Sequence, residues 1–297
     1  MTRLIFHLGY PKTGSTTLQH RLFAPHPGIA YLSPNADPDT PFLRDPRTAR
    51  FPRALSGADT GAEAQHLWQT HMVPQLSADR VTLLSEEDLL FGPAGGAAVL
   101  ERIAALSPQP ELLIVLRPQD EIIRSRYDMY PVIDKADRGT GRSVPLADYI
   151  DHILSDPIYA PNLRFADRIA QAQRLFGADR VHVFAFDDLF RTARARPRLA
   201  RLLGIAPAEV DAALAGPAAN DFVMHATRRR LRRILGPIRG SWFLPVGVLR
   251  AINTRLGRAA GIRRTDMSAA DRARITAHFA DDTARLAALL ARPEIPA

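Results

Sequence analysis

The chain of 297 residues has no cysteine. Disulfides and thiolate zinc sites are thereby excluded, and a reducing compartment, the cytoplasm, is the natural expectation. Lysine is nearly as scarce, since among 39 basic residues only Lys12 and Lys135 are lysines. Where positive charge is otherwise arginine, a lysine in a glycine-bounded turn suggests that a compact point charge is needed there. No apolar run approaches the roughly 18 residues of a membrane span. The chain enters an apolar run at Leu4 without a basic leader, so no secretory signal is expected. His66 and His71 lack the spacing that puts two ligands on one helix face, so no metal site is expected.

What is present fits a globular α/β protein. Hydrophobic residues make up 46% and charged ones 24%, enough to bury a core. The length fits a single domain over 1–297, with a basic segment (221–264) and a C-terminal helix (267–292) as parts of it. Short apolar runs at Leu4–Leu8, Val81–Leu84, Glu111–Leu116 and Val181–Phe186 read as strands. Helical patterns follow them, notably Gln119–Tyr130, Leu146–Leu154 and Asn162–Phe176. Such alternation predicts a mainly parallel sheet flanked by helices. Seven prolines between Pro25 and Pro52 predict an extended surface loop, either a wall of a substrate site or a connector. Asp134 to Pro145 reads as a polar loop and candidate lid, and Met267 to Arg292 as one amphipathic helix.

The net charge of +8 is uneven. Residues 221–264 hold 11 arginines and one acid, a balance of +10 that leaves the remainder near −2. The cluster around 228–264 is either a solvated arginine face or a contact for a nucleotide phosphate, an anionic polymer or an acidic membrane surface. No nucleic-acid partner is expected.

Two stretches carry chemistry. In the first, Gly9-Tyr10-Pro11-Lys12-Thr13-Gly14-Ser15-Thr16-Thr17 joins the first strand to a helix start. Such a turn can aim backbone N–H groups and the positive end of a helix at an anion. A nucleotide triphosphatase loop places its lysine directly after the second glycine. Here Ser15 follows Gly14 and the lysine has moved forward to Lys12, which argues against an ordinary Mg²⁺-dependent ATPase or kinase. In the second, Arg117 ends a strand and Ser125 lies eight residues on, along a predicted helix. Guanidinium and hydroxyl can converge on one phosphate from such a unit. Between them, Glu86 and Glu87 follow the second strand, on the edge where open α/β sheets bind ligands.

The first stretch resembles the 5′-phosphosulfate loop of the sulfotransferases that use 3′-phosphoadenosine-5′-phosphosulfate (PAPS). The Arg117–Ser125 stretch resembles their 3′-phosphate site, with one position missing between the arginine and Pro118. Ser85-Glu86-Glu87-Asp88-Leu89 is similar to the stretch that supplies the base in one branch of the family. The resemblance implies sulfuryl transfer from PAPS to a hydroxyl or amine, without a metal. It implies Lys12 and Glu87 as catalytic, with Glu86 as the alternative base. Lys12, Thr13, Gly14, Ser15, Thr16 and Thr17 would hold the 5′-phosphosulfate, and Arg117 and Ser125 the 3′-phosphate. PAPS, its product adenosine 3′,5′-bisphosphate and an acceptor are the implied partners. The rival readings are a small-molecule kinase and a non-enzymatic module for anionic polymers.

Overall fold

The computed structural model describes residues 3–32, 46–106, 108–131, 133, 143–215 and 264–291. Nearly all of the arginine-rich segment and most of the candidate lid, including Lys135, lie outside the described residues.

In chain order the elements are β1 (Leu4–Gly9), α1 (Ser15–Leu18) running into a π-helical turn (Gln19–Phe23), β2 (Ile29–Leu32), α2 (Pro46–Ser56) and α3 (Ala62–Leu67). Then follow β3 (Val81–Glu86), α4 (Gly95–Ala104), β4 (Glu111–Leu116), α5 (Gln119–Met129), α6 (Leu146–Ser155), α7 (Tyr159–Asn162) and α8 (Phe165–Phe176). The remainder is β5 (Val181–Ala185), α9 (Phe186–Phe190), α10 (Arg196–Leu203), α11 (Pro207–Leu214), α12 (Ala269–His278) and α13 (Ala280–Leu290).

Contacts divide the chain into two compact units. The first takes in 1–117, 157–217 and 279–297, and the second 118–156 and 218–278. The first holds a five-stranded, all-parallel sheet in the order β2-β3-β1-β4-β5. Every residue of β1 is buried, as a central strand covered on both faces requires. From β1 the chain passes to one side of the sheet, and from β4 it passes to the other. The carboxyl ends of β1 and β4 therefore flank a topological switch point, where open α/β sheets bind ligands.

The two faces of the sheet are packed differently. On one, Ile5, Leu83, Leu113 and Val115 pack with Leu18, Leu22 and Phe23 of the α1 arm and with Leu199, Leu202 and Val210 from α10 and α11. On the other, the Phe6 ring meets Phe51 of α2 and Trp68 at centroid distances of 6.5 and 5.9 Å. In the second unit, α12 packs on α5 and α6. There Asp128 accepts the backbone N–H of Thr265 at 3.0 Å, and Arg272 pairs with Asp120 at 2.9 Å.

Two expectations need correction, and one element was not foreseen. The proline-rich stretch is not one extended loop, because Ile29–Leu32 forms an edge strand and a helix begins at Pro46. The prolines leave room for both, since β2 falls between Pro27 and Pro34. Pro46 opens its helix, where a missing N–H costs nothing, and only Pro52 interrupts the ladder. The C-terminal amphipathic segment is two helices, broken at Phe279 (φ −108°, ψ 12°), and the two helices fall in different units. Finally, α4 went unforeseen in a stretch opening Gly-Gly-Ala-Ala.

A polar group in the apolar core gives a pH-dependent stability. His7 on β1 is fully buried, with its Nδ1 at 2.7 Å from the Ser85 hydroxyl, to which Gln19 also donates at 2.9 Å. Burial pushes the imidazole down to about 3. The unfolded chain therefore takes up this proton first, near pH 6.5. The stability of the neutral buried form is complete above that pH and is lost as pH falls toward 3. Relative to a His7→Gln variant, the wild type should lose roughly 3 kcal/mol between pH 7.5 and pH 4. Urea unfolding at the two pH values checks this, and parallel losses in both proteins would refute it.

Candidate active site

The loop after β1 is held in a conformation that its sequence explains only in part. Gly14, at φ +87°, suits a residue without Cβ, and an added Cβ would lie 2.5 Å from the Phe190 ring. Lys12 also has positive φ, at +71°, which costs an L-residue roughly 1–2 kcal/mol. Hydrogen bonds around it offset that strain. Thr13 donates its hydroxyl to the Tyr10 carbonyl at 2.6 Å and its N–H to the same oxygen at 3.3 Å. The Thr13 hydroxyl proton is thus committed to closing the turn.

Beyond the turn, Thr17 and Leu18 return their N–H groups to the Gly14 carbonyl at 2.9 and 3.1 Å. The amides ahead of them belong to a helix start, which leaves its first N–H groups without intrahelical acceptors. The helix widens into the π turn, where Ala24 N–H bonds to Gln19 O at 2.9 Å. Insertions of this kind are frequent at functional sites. Here the turn carries Gln19 onto Ser85, which ties the loop's helix to β3.

Glu87 stands beside the loop. β1 and β3 run in parallel register, with His7 opposite Ser85 and Leu8 opposite Glu86, so Glu87 emerges next to Gly9. A Cβ on Gly9 would come within 2.6 Å of the Ser15 hydroxyl oxygen and 3.3 Å of Glu87 Cγ. Glycine is the residue that lets these two side chains converge. The Ser15 hydroxyl is buried and makes no hydrogen bond of good geometry, yet it lies near enough to Glu87 to stabilise its charged form.

Electrostatics separate the two glutamates. Burial raises Glu87 above the ordinary carboxylate value, as does Asp88, while the Lys12 charge, the Ser15 hydroxyl and the Lys12 N–H pull it back. Glu86 lacks that help. Burial is its largest influence, and it is pushed up to about 7. Of the two adjacent carboxyls, Glu87 is the one whose ionisation the Lys12 charge favours.

Arg117 reaches the same loop from β4. It is 7% exposed, donates to the Lys12 carbonyl at 2.9 Å and stacks its guanidinium 4.5 Å from the centre of the Phe186 ring. Phe186 in turn packs on Phe190 at 4.8 Å, and both rings line Gly14. The structure thus brings Lys12, Thr13, Gly14, Ser15, Thr16, Thr17, Glu87 and Arg117 to one edge of the first unit. Ser125 is half-buried on α5 and belongs to the second unit.

Sequence reading took Gly9 only as an end of the turn, and it missed the site roles of Phe186 and of the His7–Ser85–Gln19 group. A histidine and a serine inside otherwise apolar strands were the available signal. Among the described residues no three His, Asp or Glu side chains gather as a metal site, and no helix is long and apolar enough to cross a membrane.

No protein-family model matches the chain, and no curated protein does. Solved structures do. A sulfotransferase from Alicyclobacillus acidocaldarius superposes with a TM-score of 0.55 at 16% identity, covering 99% of this chain and 98% of that one. The sulfotransferase domain of the Synechococcus PCC 7002 olefin synthase aligns over 94% of both chains, at 18% identity and a TM-score of 0.44. With its parallel five-stranded sheet, its flanking helices and this near-complete match to the first of these, the chain has the sulfotransferase fold.

Proposed function

We propose that the protein transfers a sulfuryl group from PAPS to a hydroxyl or amine acceptor. One observation carries the reading, namely a carboxylate, Glu87, set against the lysine and the buried serine of an anion-binding loop. An acid beside an anion loop is unfavourable for binding alone and suits a reaction in which the acceptor must lose a proton.

The residues fit the donor. The loop opens a helix start to an anion, and Ser15 brings a buried hydroxyl beside Glu87. Bound PAPS supplies an activated sulfuryl group on its phosphosulfate anhydride. Glu87 takes the acceptor's proton as the acceptor oxygen or nitrogen bonds to sulfur. Lys12 and the loop amides stabilise the electron pair left on the phosphate oxygen when the old sulfur–oxygen bond breaks. Gly14, Ser15, Thr16 and Thr17 seat the 5′ end, with Thr13 closing the turn. The scheme asks for no metal.

Calorimetric titration with adenosine 3′,5′-bisphosphate and with ATP tests the reading. The bisphosphate should bind at least about tenfold more tightly, the difference of a phosphate held by charge-assisted bonds. Equal affinity for ATP would sink the assignment in favour of a kinase.

A further inference from the structure

Resting on that functional reading, we infer that Arg117 is a positioning residue for the 5′-anion loop, so that affinity for the 5′ group depends on it even when no 3′-phosphate is present. Two contacts carry the inference. The guanidinium donates to the carbonyl of Lys12, the non-glycine residue of the loop in the left-handed region. Its flat face rests on Phe186, whose ring edge borders Gly14, the loop's other left-handed residue. A single side chain at the end of β4 thus bonds one backbone position of the anion turn and backs the ring that borders the other.

The burial of Arg117 fits this role. A guanidinium that is 7% exposed and stacked on an aromatic ring is fixed in orientation before any ligand arrives. Lysine would keep the charge but lose the planar fork and the stack. Arg191 also approaches Phe186, with its guanidinium carbon 5.6 Å from the ring centre. Arg191 pairs with Asp187 at 2.9 Å, and the bond to the Lys12 carbonyl comes from Arg117.

A ligand pair distinguishes positioning from direct contact. Adenosine 5′-phosphosulfate lacks the 3′-phosphate, whereas adenosine 3′,5′-bisphosphate carries it. In Arg117→Ala, affinity for both should fall by a similar factor of about ten, the loss of one charged hydrogen bond's worth of loop order. Arg117→Lys should show the same parallel loss in smaller degree, and it serves if the alanine variant does not fold. A loss confined to the bisphosphate would overturn the inference and make Arg117 a plain 3′-phosphate ligand. Wild-type affinity for both ligands in Arg117→Lys would also overturn it, since charge alone would then suffice. A wild-type protein that binds neither ligand would instead overturn the sulfotransferase reading, and this inference with it.

Discussion

In a Lys12→Asn variant, consumption of PAPS with water as acceptor is expected to fall by about 10²–10³, the usual effect of removing one preorganised donor at a developing oxyanion. Affinity for adenosine 3′,5′-bisphosphate should fall by no more than about tenfold, because the charge that Lys12 meets in full arises only as the sulfur–oxygen bond breaks. Asparagine is the informative replacement. Position 12 sits at φ +71°, where alanine would add backbone strain to the lost charge, whereas asparagine tolerates that region. Single-turnover rates and calorimetric affinities, measured on the same preparation, separate the two effects. Turnover within threefold of the wild type would remove Lys12 from the chemistry.

The legible parts of the fold were those in which local chemistry and tertiary structure agree. β1, β3 and β4 are short apolar runs between breakers whose two faces the sheet buries, and β5, an apolar run at the sheet edge, is buried at Val181, Val183 and Phe184. β2 was not legible, since Ile29–Leu32 is a four-residue edge strand between prolines whose pairing is set by β3 rather than by its own pattern. The break at Phe279 was hidden for the opposite reason. Ile275 and Phe279 are both buried and continue one apolar stripe, so periodicity ran on past the end of a helix.

At the site, the loop itself could be read because glycines, hydroxyls and a lone lysine lie consecutively. The partnership of Arg117 with the Lys12 carbonyl could not. It depends on β4 pairing with β1 in a register that places Val115 opposite Gly9, and no local signal specifies that. The same holds for Gly9. Its value lies in the space it leaves for Ser15 and Glu87, residues distant in sequence and adjacent only once β3 has joined β1.

The largest remaining effect is expected at Glu87. Replacing it by glutamine removes the proton acceptor while keeping the shape of the side chain, and PAPS consumption should fall by about 10²–10⁴. The pH profile identifies the group. A base works as its carboxylate, so the wild-type rate should rise with pH through a limb above the ordinary glutamate value, since burial outweighs the pull of Lys12. In Glu87→Gln that limb should vanish, and in Lys12→Asn it should move to higher pH because the ammonium that favours ionisation is gone. Glu86 supplies the control. Its carboxyl is pushed up to about 7, so the folded protein holds this proton more tightly than the unfolded chain does. Its stabilising contribution is therefore complete below about pH 4.5 and lost as pH rises through 7. Glu86→Gln should accordingly match the wild type in stability at pH 4, exceed it at pH 8, and leave the Glu87 limb in place. If Glu86→Gln instead erases the limb and Glu87→Gln does not, the base is Glu86, and Lys12 selects Glu87 for charge balance in the loop rather than for proton transfer.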